Sequence, residues 1–246
     1  MSVAVIGGTG LDRLAGLELD RRQVVETPFG EPSAALSEGR LDGARVLFLA
    51  RHGDEHRLPP HRINYRANLW ALRAAGATHV VAVAAVGGIR ADLAPGRIAV
   101  PHDLIDYTWG RLHTFSDDGE TDLQHVDFTQ PYSQAVRRAL LDAAARAGVE
   151  AAEHAVHAVT QGPRLESAAE IARLARDGCD LVGMTGMPEA ALARELGLAY
   201  GCLAVVVNRA AGIGREGIHA EIGASLKTGM GHVRRLLPGA LQTLAG

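Results

Sequence analysis

Val80-Val81-Ala82-Val83-Ala84-Ala85-Val86, followed at once by Gly87-Gly88, is the stretch on which the fold turns. It is an unbroken apolar run, rich in valine, too short for an ordinary helix and closed by glycine, which is the pattern of a strand buried on both faces. Working outward, similar runs recur at Val3–Ile6, Val46–Ala50, Ile98–Val100, Ala155–Thr160, Leu181–Met184 and Leu203–Val207. Longer stretches with helical periodicity lie between them. Asn64–Ala75 carries Leu69, Trp70 and Leu72; Pro131–Ala147 opens on proline and stops at Gly148. Ser167–Arg176 opens on serine with Glu170 three residues on, a capping box. Pro188–Leu196 stops at Gly197, and Ile222–Leu244 closes the chain. Alternating strands and helices predict an α/β fold, a mixed sheet flanked by helices. No repeat, low-complexity tract or Pro/Ser-rich linker interrupts the alternation, so residues 1–246 are expected to form a single domain.

Composition narrows the function classes. Of 246 residues, 47% are hydrophobic and 22% charged, which is ordinary globular usage and supplies a sizeable core. The formal net charge is −3, with lysines and arginines scattered, so a polyanion such as nucleic acid is not an expected partner. No apolar run approaches the roughly 18 residues that span a bilayer, and Met1–Thr9 lacks the basic start of a secretory signal. Cys179 and Cys202 sit in separate apolar segments and read as inert core thiols of a reducing, cytoplasmic compartment.

Chemistry-bearing residues gather just after the strands, where open α/β sheets bind ligands. Gly7-Gly8-Thr9-Gly10 follows the first strand and suits an anion held by backbone N–H groups and a hydroxyl. The spacing fails the G-x-G-x-x-G dinucleotide fingerprint, since Arg13 stands where the last glycine would fall. Arg51-His52-Gly53 follows the next recognisable strand, with a forked donor and a second donor suited to phosphate. His52, His56 and His61 also suggest a metal, but Gly53 and Pro59-Pro60 oppose a helix there and no H-E-x-x-H motif is present, so no metal is expected. Further strand ends carry Thr160-Gln161-Gly162-Pro163-Arg164-Leu165-Glu166, then Gly183-Met184-Thr185-Gly186-Met187-Pro188-Glu189, then Val206-Val207-Asn208. Taken singly, each is an ordinary strand-to-helix connection.

In this order, GGTGL, ARHG with NYRANLWAL, AVGGI, GPRLE and GMTGMPE resemble the methylthioadenosine/purine nucleoside phosphorylase family, and within it the bacterial S-methyl-5′-thioinosine phosphorylase group. The resemblance runs from about Val3 to Val207 and weakens beyond Asn208. It implies a nucleoside phosphorylase fold and a pentosyltransferase that needs no cofactor, with inorganic phosphate as co-substrate. It places Thr9, Arg51, His52, the backbone at Ala85 and Thr185 around phosphate. Where the family has a hydroxyl side chain, this chain has Ala84. The resemblance puts Met184 under the ribose and Glu166, Asn208 and Ala210 at the nucleoside, with Asn208, Glu166 and His52 as the catalytic core. His125 resembles a histidine that enters from a neighbouring subunit, which implies a homotrimer or a hexamer of paired trimers. His219 falls near the 5′ end in an ambiguous register.

The Glu166–Asn208 couple has its own logic. A departing 6-oxopurine offers N1–H to a carboxylate, and N7–H and O6 to the two ends of a carboxamide. Adenine would set acceptor against acceptor and donor against donor, a mismatch that can reject an analogue by ~10⁴-fold. The expected reaction is phosphorolysis of a 6-oxopurine nucleoside, with methylthioinosine ahead of inosine or guanosine. A non-catalytic nucleoside-binding protein is the remoter alternative.

Overall fold

The apolar runs become the strands of one sheet. The computed structural model describes residues 2–117, 123–214 and 218–246, with the side chains of 218–221 outside that description. Its strands are β1 (Ser2–Gly7), β2 (Glu18–Gln23), β3 (Leu36–Leu41), β4 (Ala44–Ala50), β5 (Ala77–Gly88), β6 (Ile98–Ala99), β7 (Asp103–Asp106), β8 (Ala151–Ala152), β9 (Val156–Val159), β10 (Leu181–Gly183) and β11 (Ala199–Arg209). Its helices are α1 (Tyr65–Ala74), α2 (Gln134–Arg146), α3 (Ala168–Arg176), α4 (Gly186–Glu195) and α5 (Ile218–Ala245).

β5 is the hub. On one edge its first half pairs in parallel with β1, ending with Ile6 opposite Ala82, and its last residues pair antiparallel with β10, Val182 opposite Gly87. β1 and β10 thus run toward each other along that edge and stop short, leaving the Val83–Val86 stretch without a ladder partner there. β11 covers the other edge from His79 to Gly88, with a bulge between Val206 and Asn208. The sheet continues past β1 through β4, β3 and β2, and past β10 through β9 and β7; β6 and β8 hang on β11.

Both faces of the central strands are buried, and the side chains alternate between them. Ala4 and Ile6 of β1 and Val80, Ala82 and Val86 of β5 pack with Leu69 and Leu72 of α1 and Leu192 of α4. Val3 and Val5, with Val81 and Val83, pack instead with Leu140 of α2 and Val233, Leu236 and Leu241 of α5. Each valine, leucine or isoleucine among them contributes about 1.5–3 kcal/mol by leaving water. The sheet is mixed and helix-flanked, as expected.

Elements without an apolar signature escape a reading from sequence. β2, Glu-Leu-Asp-Arg-Arg-Gln, is almost wholly exposed and exists because it pairs with β3. β7 and β8 are short pieces positioned by β9 and β6. α2 starts at Gln134 rather than Pro131, because the Ser133 N–H donates to the Tyr200 carbonyl at 2.7 Å and ties the preceding residues to β11. α4 starts before Pro188, interrupted by Met187 at φ −121°, ψ 140°. The Ser167–Glu170 capping box at α3 is present with both of its hydrogen bonds.

The turn after β1 is possible only with glycine at its first position. A Cβ on Gly7 would lie 2.0 Å from the Leu11 carbonyl oxygen and 2.8 Å from the Phe48 ring. Gly7→Ala is therefore expected to lower stability by about 1–3 kcal/mol, read as a shifted urea midpoint at constant slope. An unchanged midpoint contradicts the packing.

Candidate active site

The two converging strand ends and the bulge in β11 enclose a cavity of about 210 Å³ beside the uncovered stretch of β5. Thr9, Arg51, His52, Ala85 and Thr185 line one part of it. Glu166, Met184, Asn208 and Ala210 line the rest. A larger hollow of about 650 Å³, between Asp127 and Tyr200, has no glycine loop and none of these residues. Chemistry, not volume, marks the smaller one.

One end of the cavity gathers donor groups of the kind that an oxyanion takes. The backbone N–H groups of Thr9 and His52 make no backbone hydrogen bond to a described residue. Gly8 packs so closely that an added Cβ would sit 2.6 Å from the Val83 carbonyl oxygen and 2.7 Å from Arg51 Nη1. Thr185 is the N-cap of α4 but makes no side-chain capping bond, so its hydroxyl is not committed to the helix. Ala84 lines the wall without a donor of its own side chain.

Arg51 and His52 depart from the sequence expectation in how they offer their protons. The Arg51 fork faces Glu189, not the cavity: Nε donates to Oε2 at 2.8 Å and Nη2 to Oε1 at 2.9 Å. Nη1 donates to the Val83 carbonyl at 2.9 Å. Of the five guanidinium protons, one remains on each terminal nitrogen. Burial works to lower the Arg51 pKa, but the Glu189 carboxylate outweighs it and raises the guanidinium above its ordinary value. The His52 ring, by contrast, is not a cationic donor. Its Nδ1 lies 2.7 Å from the Leu58 carbonyl, which only accepts, so that nitrogen carries the proton. Burial, with Arg51 beside it, pushes its pKa down to about 4, so Nε2 is an acceptor at neutral pH. The His56 ring lies 4.6 Å from it, with Nδ1 2.8 Å from Asp12 and Nε2 3.4 Å from the Thr9 hydroxyl.

The other end carries the carboxylate and the carboxamide. The β11 bulge turns Asn208 into the cavity, the use bulges commonly have beside active sites. Its Nδ2 donates to the Arg209 carbonyl at 2.7 Å, which leaves one N–H and Oδ1 for a ligand. Glu166 stands just ahead of the α3 cap, half-buried; the Thr160 hydroxyl donates to its Oε1 at 2.6 Å. Arg111 ties the loops after β9 and β10 together, donating to the carbonyls of Gln161 and Met184, both at 2.8 Å.

His125 is exposed and does not line this cavity. His219 lies in the first turn of α5, but its side chain falls outside the described residues. Glu189, Tyr200, Thr160 and Arg111 are the participants that the sequence reading did not assign. Glu189 had a signal, a lone carboxylate within the apolar run Met187–Ala193 of α4; Tyr200 and Arg111 had none.

Residues 2–242 match the family described as the phosphorylase superfamily. The chain belongs to that family. Among phosphorylases of known sequence, it is 55% identical over 235 residues to a probable S-methyl-5′-thioinosine phosphorylase of Pseudomonas syringae pv. tomato, covering 95% of this chain and 96% of the relative. It is 41% identical over 226 residues to the 6-oxopurine nucleoside phosphorylase of Pyrococcus furiosus, covering 89% of this chain and 84% of the relative. Among solved structures, the methylthioadenosine phosphorylase of Schistosoma mansoni in complex with adenine superposes with a TM-score of 0.93 at 31% identity, over 99% of this chain and 91% of that one. No helix of the described residues is long and apolar enough to cross a membrane.

Buried neutral histidines give this phosphorylase an acid limit. His157, wholly buried in β9 with Nδ1 3.1 Å from the Tyr132 hydroxyl, is pushed down to about 4 by burial, with Arg51 adding to it. Above pH 6.5 His52 and His157 are neutral folded or unfolded, and their contribution is fully present. As pH falls from 6.5 toward 4 the unfolded chain takes up protons that the folded chain refuses, and stability drops. His157→Gln is expected to remove one proton from that slope, about 1.4 kcal/mol per pH unit, in urea titrations between pH 7 and 4. The same slope in both proteins contradicts a neutral His157.

Proposed function

We propose that this phosphorylase cleaves 6-oxopurine nucleosides with inorganic phosphate, and that S-methyl-5′-thioinosine is its preferred substrate, giving hypoxanthine and S-methyl-5-thioribose 1-phosphate. The observation that carries the reading is that Glu166 and Asn208 open into the same cavity as the Gly8–Thr9 loop, Arg51 and Thr185. A base and an oxyanion bound there lie on either side of one sugar, with Met184 between them.

The mechanism needs no covalent intermediate. The C1′–N9 bond breaks with its electron pair passing to the purine, and the ribosyl centre becomes oxocarbenium-like, as in other glycoside cleavage. The phosphate oxygen held by backbone N–H groups and Arg51 forms the new bond to C1′. As charge builds on the purine, N7 takes a proton from water, Asn208 Oδ1 accepts from N7–H and its remaining N–H donates to O6. Glu166 accepts from N1–H. These contacts strengthen with charge development and so lower the barrier rather than only binding the substrate.

The S. mansoni structures with adenine have this fold, so the fold does not choose the base. The side-chain couple does. Relatives named for methylthioinosine support the methylthio group at the 5′ position; the P. furiosus relative supports inosine or guanosine as the second reading. His125 completes the 5′ end from an adjacent subunit of a homotrimer, or of a hexamer of paired trimers, and His219 lies near the same end.

Steady-state rates with methylthioinosine, inosine, guanosine and methylthioadenosine, with and without phosphate, test the reading. Free base is expected only with phosphate, and kcat/KM for methylthioinosine is expected to exceed that for methylthioadenosine by ~10²–10⁴-fold. Asn208→Asp is expected to narrow that ratio by lowering 6-oxopurine turnover. Equal use of both methylthio nucleosides by the unaltered enzyme sinks the proposal.

A further inference from the structure

We propose that Glu189, held by Tyr200, is a positioning residue of the phosphate end: it acts through Arg51, setting which guanidinium protons face the incoming anion, without touching the anion itself. This rests on the reading of that end as a phosphate site.

Three anchors fix the guanidinium. Glu189 takes its Nε and Nη2 side, the Val83 carbonyl takes a proton of Nη1, and Gly8 packs against Nη1. The anchors come from α4, β5 and the loop after β1, and Arg51 itself follows β4, so the plane of the group is set by four parts of the chain. Glu189 is fixed in turn. The Tyr200 hydroxyl donates to its Oε1 at 2.8 Å, from β11. Arg51 is 1% exposed and Glu189 0%, so neither has room for a second arrangement. What is left for the cavity is the end of the fork, one proton on each terminal nitrogen, pointing a fixed way. A lysine could not be held like this, having no plane to clamp.

The charge balance explains why a carboxylate is used beside an anion site. Without ligand, Arg51 and Glu189 form a neutral buried pair, which avoids an uncompensated charge in the interior. When phosphate enters, the guanidinium lies between two anions on different edges. Glu189 therefore opposes the anion by charge while orienting the donor that receives it, an arrangement that favours direction over tight holding, as suits a co-substrate that must react and leave.

Calorimetric titration with inorganic phosphate, alongside steady-state KM values, separates this role from a structural one. Tyr200→Phe keeps both charges and removes the hydroxyl that fixes Glu189; phosphate Kd and KM are expected to rise about threefold to tenfold, with nucleoside KM within about twofold. Glu189→Gln is expected to lower kcat/KM for phosphate by ~10²-fold, again sparing nucleoside KM. A Tyr200→Phe protein that binds phosphate like the unaltered enzyme, or that loses nucleoside and phosphate affinity equally, overturns the proposal. If Glu189→Gln fails to fold, the Tyr200→Phe titration decides alone. Failure of the unaltered enzyme to bind phosphate at all instead overturns the phosphate reading and takes this proposal with it.

Discussion

An interrupted edge on β5 is the constraint from which the site follows. β1 and β10 approach along that edge from opposite directions and end before they meet, so backbone between Ala82 and Gly87 lacks a ladder on that side, although β11 pairs with it on the other. Buried carbonyl groups without a donor are costly. Arg51 supplies a donor to Val83, Glu189 balances the charge that Arg51 brings, and Tyr200 completes the carboxylate's shell. Each of these groups answers a need created by the one before it. The same gap lets the Gly7–Gly10 turn and the Met184–Thr185 turn converge on one cavity.

The electrostatic character of the site is dipolar rather than strongly cationic. Arg51 is neutralised by Glu189, and His52 is neutral because burial and Arg51 both disfavour its charged form. On the proposed phosphate reading, the oxyanion meets a set of oriented N–H groups, hydroxyls and the end of one shared guanidinium. Preoriented dipoles of this kind require little reorganisation as charge moves during reaction. The price of such burial is acid sensitivity, since the same desolvation that keeps His52 and His157 neutral resists their protonation.

On the proposed reading, base choice rests on a different scale of structure. A methylthioadenosine phosphorylase and this chain share nearly the whole fold at 31% identity. Glu166 and Asn208 are placed by small features: the Thr160 hydroxyl on one, a one-residue bulge in β11 behind the other. On that reading, changing which purine is accepted requires no change in the sheet.

The sequence by itself determined the buried strands, the main helices, the α3 cap and the gathering of polar residues at strand ends, because apolar periodicity and turn chemistry are local properties. Val80–Val86, Ser167–Glu170 and the Gly7–Gly10 turn were legible for that reason. β2 and β7 were not, since they are held by pairing with distant strands and carry no apolar run. The direction in which Arg51 points, the neutral state of His52, and the Glu189–Tyr200 support were decided only by the tertiary structure. They depend on which groups lie within about 3 Å of one another once β4, β5, α4 and β11 are packed, and no spacing along the chain encodes that distance.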